Sequence, residues 1–450
     1  MICESVILAA GFGTRMKSNA PKVLHRLSEK PLIWWAVRLA QEATGRLPTV
    51  VVGPEMEEIR DVLDDGVHYV EQNQRLGTGH ALLQAATSLT GKSDLVLVTL
   101  GDMPLLKVET LKKLIETQEQ NEGPMTLLTA NVKHARQFGR IVRNENGLIQ
   151  GIVEEADASL EQLKITEVNP SVYCFEANWL WDTLPSLPIS AKGEYYLTDI
   201  LEIATRQDFK VASMEVEEEE EIIGINNRVH LAEAQAVLRE RINRDWMLSG
   251  VTILDPDTTY IGPEVEIGKD TTIMPNTTLE GKSIVGEDCS LGPNSFIRQS
   301  ILGDGCKVFM SMMEGATLED EVDIGPFAHL RKGAYLCRGV HMGNFGEVKN
   351  SRLGPGVKMG HFSYVGDTSV GENTNVSAGV ITCNYDGKNK HETEIGENVF
   401  LGSDTMLVAP LRVGKGARTG AGSVVTKDVP ENTLVAGIPA RAIRKVEESE

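Results

Sequence analysis

From Tyr260 onward the sequence recurs with a period of six: an aliphatic residue, usually followed by glycine or another small residue, opens each unit. The run includes "IGPEVE", "IGKDTT", "VGEDCS", "LGPNSF", "IGPFAH", "MGNFGE", "IGENVF", "LGSDTM", "VGKGAR" and "TGAGSV". A hexapeptide period sustained this long predicts a parallel β-helix, in which each turn buries one apolar side chain per face in a continuous stack. A β-sandwich would instead alternate with period two between hairpin turns, and that pattern is missing. One polar stretch, "CNYDGKNKHET" (383–393), cannot continue a coil. Insertions in solenoids map to loops on one face, so this one is expected to reach into a site.

The first half follows a different grammar. Up to residue 228, short β-branched runs such as "SVILA", "TVVVG", "DLVLVTLGD" and "MTLLTANV" alternate with helical stretches such as 104–120. That alternation predicts a parallel, Rossmann-like α/β sheet whose ligands lie beyond the carboxyl ends of its strands. Between the halves, "RVHLAEAQAVLRERINRDWMLSG" has no proline or interior glycine and keeps apolar residues on one face, predicting a long helix. The expected organisation is a nucleotide-binding domain at 1–228, a linker helix at 229–249 and a β-helix at 250–450. The five glutamates Glu217 to Glu221 are read as a solvated surface.

A net charge of −20 argues against nucleic acid or an anionic membrane as the main partner. No run approaches the ~18 apolar residues needed to span a bilayer, and no signal peptide is visible, so a cytoplasmic protein is expected. The six cysteines (Cys3, Cys174, Cys289, Cys306, Cys337, Cys383) have no C-x-x-C spacing and read as reduced apolar fillers.

At the end of the first strand, "AAGFGTRM" carries Gly11 and Gly13 but has Met16 where a dinucleotide turn needs its third glycine. Met16 is read as the place where a helix resumes. The turn is followed by Arg15 and by Lys22 in "PKVLH", two cations that suit a chain of phosphates. Asp102, closing "LVLVTLGD", is a carboxylate placed beside that loop, where Mg²⁺ needs few protein ligands because substrate phosphates supply the rest.

"LAAGFGTRM" with "PKVLH" resembles the signature of sugar-1-phosphate nucleotidyltransferases. Together with "QNQRLGTGHA", "LGDMPLL", "FGRIVR", "GIVEEADA", "EVNPSVY" and "GINNR", it resembles the bifunctional family of UDP-N-acetylglucosamine synthesis. That family joins an N-acetylglucosamine-1-phosphate uridylyltransferase to a glucosamine-1-phosphate N-acetyltransferase on a left-handed β-helix, and the resemblance covers the whole chain. It implies UTP contacts at Leu8, Ala9, Ala10, Gly11 and Lys22, uracil contacts at Gln72, Gly77 and Thr78, and sugar contacts at Gly139, Glu154 and Asn169. Arg15 and Lys22 would steady the phosphates. Asp102 would share Mg²⁺ with an asparagine of "INN", Asn226 ahead of Asn227. Arg75 departs from a glutamine frequent in relatives.

In the second half the resemblance implies His361 in "KMGHFSYVG" as the base that deprotonates the amine. Arg331, Lys349, Tyr364, Asn375 and Lys390 would hold glucosamine-1-phosphate, and Ala378, Asn384, Tyr385, Ser403 and Ala421 acetyl-CoA, with Asn384 and Tyr385 at the acetyl carbonyl. Asn350 stands where a second lysine is common, and Arg441 is a substitute candidate for a coenzyme A contact in the tail. The resemblance also implies a homotrimer with acetyltransferase sites at subunit junctions. The alternative reading is a monofunctional nucleotidyltransferase with the β-helix as an assembly platform.

Overall fold

Strand β1 (Cys3–Leu8) is buried along its whole length, and burial on both faces is what a central parallel strand requires. It pairs in parallel with β2 (Thr49–Val52) and β4 (Leu95–Leu100), and β2 pairs in parallel with β3 (His68–Glu71). The computed structural model describes residues 1–54, 56–63 and 66–445, so the last five residues of the expected 250–450 domain lie outside the described residues. Two compact units divide the chain, Met1–Val237 and Leu238–Glu450.

The sheet of the first unit is mixed rather than purely parallel. With β5 (Met125–Asn131), β6 (Gly139–Arg143), β7 (Ile149–Val153), β8 (Glu167–Asn169) and β9 (Tyr173–Glu176), its order is β3-β2-β1-β4-β9-β5-β8-β6-β7. Strand β9 runs antiparallel between β4 and β5. The parallel half, β1 to β4, carries the expected ligand edge. Helices α1 (Leu32–Thr44), α2 (Thr78–Gln84) and α3 (Val108–Gln120) cover it.

Two local expectations are corrected. Met16 does not restart a helix: Thr14–Met16 is one 3₁₀ turn, ended by Lys17 in the left-handed region, and Met16 is an apolar anchor that is buried. The glutamate run is not wholly solvated either. Glu221 is buried, accepting from the Lys107 N–H at 3.0 Å and the Thr110 hydroxyl at 2.6 Å. It supplies the cap that α3 lacks locally, since Lys107 at the helix entrance has no capping side chain.

Helix α4 (Arg228–Leu248) spans the division between the units. Within the second unit, Leu238, Ile242 and Trp246 form an i, i+4 stripe: Leu238 is buried, and Ile242 and Trp246 lie against the β-helix core. Asn243 ties the helix to the first coil, donating to the Pro256 and Thr259 carbonyls at 2.9 and 3.0 Å.

The second unit is the left-handed parallel β-helix, three faces of 12, 10 and 9 strands. Down the 12-stranded face, Thr272, Ser290, Lys307, Asp323, His341, Lys358 and Asn375 are register partners in turn, 16–18 residues apart. The next step, Asn375 to Phe400, is 25 residues, because the 383–393 insertion leaves the coil there. Each face contributes one buried apolar rung per turn, for example Leu330, Val348 and Val365 on the 10-stranded face. The next rung is Thr382. Beside the insertion the strand pairing has contracted to Tyr364↔Ile381, and the Thr382 hydroxyl accepts from the Gly366 N–H at 2.8 Å. Thr382→Val, almost isosteric, leaves that buried N–H unpaired and is expected to cost about 1–3 kcal/mol, measured by denaturant unfolding of the β-helix.

Candidate functional sites

At the carboxyl edge of β1 and β4 a cavity of about 420 Å³ is lined by Ala9, Ala10, Gly11, Lys22, Gln72, Arg75, Gly77, Thr78, Asp102 and Tyr196, among others. A second cavity of about 250 Å³ shares Leu8, Thr78, Leu100 and Tyr196 with it and adds Glu154, Ser171, Tyr173 and Thr198. The two form one cleft.

Glycines shape its mouth for different reasons. Gly13 is left-handed at φ 74°, and a Cβ there would collide with the Lys22 Cβ, so Gly13 is needed for Lys22 to fold back on the loop. Nothing lies within 4 Å of a Cβ placed on Gly11, whose open side faces the cavity. Lys22 Nζ makes an ion pair with Asp102 and lies 3.3 Å from Asn226 Oδ1, which also accepts from Arg15 at 2.8 Å. The Ile225 N–H donates to the Asp102 carbonyl at 3.0 Å, and this backbone bond brings "INN" to the strand end. Asn227 turns the other way: its side chain accepts from the Val229 and His230 N–H groups and caps α4. Of the two asparagines, Asn226 alone has its oxygen beside Asp102. A carboxylate and an amide oxygen thus converge on one ammonium, a hard-oxygen donor pair that fits Mg²⁺ completed by phosphate oxygens.

At the far end, Glu154 accepts from the Thr198 hydroxyl at 3.2 Å, and burial pushes its carboxyl above the usual range. Asn169 lies behind it, donating to the Tyr173 hydroxyl at 2.8 Å. A Cβ on Gly139 would meet Ile152 at 2.7 Å, so Gly139 allows the close packing of β6 on β7 beneath Glu154. Arg75 donates to the Ala10 carbonyl at 2.7 Å, joining the glycine loop to the 72–78 segment. Glu194, Tyr196 and Thr198 were not legible as lining residues: "GEYYLTD" is over a hundred residues from Gly77 in the chain and docks through the Gly79 N–H and Tyr195 carbonyl at 2.9 Å.

In the β-helix, Asn344, His361, Ala378, Ser403 and Ala421 occupy the turn between the 12- and 10-stranded faces in successive coils. Each turn is bonded to the next, Gly379 N–H to His361 carbonyl, Asp404 N–H to Ala378 carbonyl, Gly422 N–H to Ser403 carbonyl, all at 2.8 Å. His361 Nδ1 is hydrogen-bonded to Asn344 Oδ1. An amide oxygen only accepts, so Nδ1 carries the proton and Nε2 presents a lone pair.

The opposite edge of the 10-stranded face gathers Arg331, Lys349 and Lys390. Lys349 is pushed below the usual lysine range chiefly by the neighbouring Lys390, then by burial and by Arg331. Arg331 is braced by Glu347 at 2.9 Å. Tyr364 runs back over Gly366, where a Cβ would collide with its hydroxyl. Asn384 is buried, and its amide nitrogen donates to Asp367 at 2.6 Å and lies 3.5 Å from the Tyr364 hydroxyl. The adjacent Tyr385 N–H donates to no described group. Asn350, at the position where relatives commonly carry a second lysine, donates to the same Asp367 at 2.7 Å. Asn375 lies on the 12-stranded face, donating to Ser377 at 2.9 Å, and is not brought to the cation cluster within one chain. Arg441 is exposed on the terminal hairpin, where its strand position pairs with Ala436 and its side chain donates to the adjacent Ala440 carbonyl at 3.2 Å.

A phosphate-loop cleft on an α/β sheet followed by a hexapeptide coil with a poised histidine defines a two-domain transferase. Residues 5–202 match the MobA-like NTP transferase domain, 264–299 the bacterial transferase hexapeptide (six repeats) and 393–427 the hexapeptide repeat of succinyl-transferase. The bifunctional protein GlmU of Syntrophomonas wolfei is 44% identical over 96% of this chain and 97% of its own, and that of Caldanaerobacter subterraneus 46% over 96% and 94%. The GlmU protein of a Geobacillus species is 45% identical over 96% and 94%. The chain belongs to the family of bifunctional GlmU proteins. That membership bears out the expected enzyme with uridylyltransferase and acetyltransferase activities and sets aside the monofunctional alternative.

The raised Glu154 pKa carries a sign that can be tested. An acid whose pKa is higher folded than unfolded favours the folded state at low pH and loses that contribution as pH rises through the folded value. Glu154→Gln is therefore expected to raise the melting temperature of the N-terminal unit at neutral pH, and by less at about pH 4.

Proposed function

We propose that the N-terminal cleft transfers uridylyl from UTP to N-acetylglucosamine-1-phosphate, releasing pyrophosphate. The base lies at Gln72, Gly77 and Thr78, the triphosphate along Gly11, Arg15 and Lys22, and the amino sugar at Gly139, Glu154 and Asn169. The observation that carries this reading is the convergence of Lys22, Asp102, Asn226 and Arg15 at the mouth of the glycine loop. Asp102 and Asn226 would hold Mg²⁺, which when bound neutralises phosphate charge as the sugar phosphate attacks the α-phosphorus. Lys22 and Arg15 orient the phosphates, and the apolar walls at Leu8 and Leu100 exclude water.

We infer that the β-helix acetylates glucosamine-1-phosphate, feeding the other site. Arg331, Lys349 and Lys390 hold its phosphate, and His361 Nε2 takes a proton from its ammonium so that the free amine attacks the thioester carbonyl; the C–S bond then breaks, and coenzyme A leaves as its thiol with the second amine proton. Acetyl-CoA lies along the Ala378, Ser403 and Ala421 turns with its carbonyl at Tyr385. His361 and the cations bound opposite ends of the Tyr364–Gly366 strand, and Asn375 is on another face, which supports sites completed by neighbouring copies in a trimer. Stacked Phe327, Phe345 and Phe362, exposed beside His361 with ring centroids 5.1 Å apart, support the same assembly. Among the described residues no helix is long and apolar enough to cross a membrane, and a cytoplasmic location suits these substrates and the free thiols.

His361→Ala is expected to abolish acetyl transfer and spare uridylyl transfer, and Asp102→Ala to do the reverse; a folded variant losing both would refute the division of labour. Asn344→Leu frees the His361 ring and is expected to lower kcat for acetyl transfer about tenfold with little change in KM for acetyl-CoA, read from steady-state kinetics.

A further inference from the structure

Gln72 is buried to 2% exposure at the base end of the cleft, and its side-chain nitrogen has two neighbours. It donates to the Gly77 carbonyl at 3.1 Å and lies 2.9 Å from His80 Nδ1. The carbonyl sets the polarity of the amide: turned over, Gln72 would set its oxygen against the Gly77 oxygen, two acceptors in hydrogen-bond range with no hydrogen between them. Both Gln72 N–H bonds are therefore spent, and the His80 ring must meet one of them with a bare Nδ1, its own proton on Nε2. Gln84 holds the other side of the residue, donating to the His80 carbonyl at 3.0 Å with its nitrogen 3.3 Å from Nε2; the shorter contact, to Gln72, decides the tautomer. Tyr195 stacks on the ring, with centroids 6.3 Å apart and planes at 27°. The Gln72 oxygen has no partner among the described residues and is not sealed from the cavity that Gln72 lines.

We propose that His80 is the specificity-positioning residue of the nucleotide site: by taking the second hydrogen of the Gln72 amide it holds the amide in the polarity that the Gly77 carbonyl sets, with its acceptor toward the base, so the site selects a pyrimidine with N3–H over one with a bare N3. This rests on the base lying at Gln72, as proposed above. A uracil offers N3–H to the Gln72 oxygen, while its carbonyl oxygens suit N–H donors; the Gly77 N–H, which donates to no described group, is one. A cytosine sets its N3 lone pair against the same oxygen and its amino group against N–H donors, two mismatches in a desolvated site. His80 itself touches no substrate atom in this arrangement. It acts through Gln72 alone.

The test compares UTP and CTP in the uridylyltransferase reaction of the full-length protein. His80→Phe keeps a ring for Tyr195 and removes the acceptor; His80→Asn restores an acceptor oxygen near the place of Nδ1. In His80→Phe the ratio of kcat/KM for UTP to that for CTP is expected to fall about tenfold, mainly through KM for UTP, and in His80→Asn to recover. Acetyl transfer reports that the protein is folded and is expected to be unchanged in both. Gln72→Leu separates the two layers of the inference. If it collapses the ratio while His80→Phe does not, the role of His80 is overturned and the base site stands. If Gln72→Leu leaves the ratio unchanged, the placement of the base falls and the proposal with it. An equal loss in His80→Phe and His80→Asn would show a packing role and also overturn it.

Discussion

The backbone ladder between successive coils of the β-helix is the constraint on which the second half depends. Once each turn is bonded to the next, a residue's place on a face or corner is set by its phase within the coil. Asn344, His361, Ala378, Ser403 and Ala421 share one corner because they share that phase. The ladder also explains why the insertion is confined to one place: leaving the coil at 383–393 costs strand pairing, and the loss is contained by the Thr382 hydroxyl serving the Gly366 N–H. Tyr364, Asn384 and Asp367 cluster around that same defect, so the point where the repeat fails is also where polar side chains can assemble.

The first half solves the same problem of holding charged groups together without a repeat. Its cations and carboxylate lie at the end of two parallel strands, and one backbone bond from Ile225 to Asp102 brings a distant segment to them. Neutralisation is mutual in the free protein: Lys22, Asp102 and Asn226 satisfy one another. In the β-helix, among the described residues, Glu347 pairs with Arg331 alone. Arg331, Lys349 and Lys390 are crowded together, so Lys349 gives up its proton more easily than an ordinary lysine.

Much of this was legible in the chain. The period of six required a stack, and the departure from it at 383–393 located the loop, because hexad phase is a local property. Gly13 and Lys22 were readable as a phosphate turn. The roles of near-identical neighbours were not: Asn226 and Asn227 have the same chemistry, and only the start of α4 decides that Asn227 is the cap. Glu221 looks like its four acidic predecessors and differs because α3 needs a cap from outside itself. Asn384 reads in the sequence only as an amide beside the acetyl carbonyl, and Asp367, seventeen residues away in sequence and one coil away in space, decides where its amide nitrogen points.

What the sequence by itself determined is therefore the architecture and the inventory: two folds, their order, the loop that breaks the coil, and which side chains carry the chemistry. The architecture follows from periodicity and spacing, which survive without knowledge of distant contacts, and the candidates for the chemistry follow from the resemblance of the motifs to a known family. Only the tertiary structure decided polarity and direction, that is, which asparagine faces the cleft, which nitrogen of His361 is bare and which end of the Gln72 amide is presented. A hydrogen-bonding group has no fixed orientation until its partner is placed, and the partners here come from other coils and other strands.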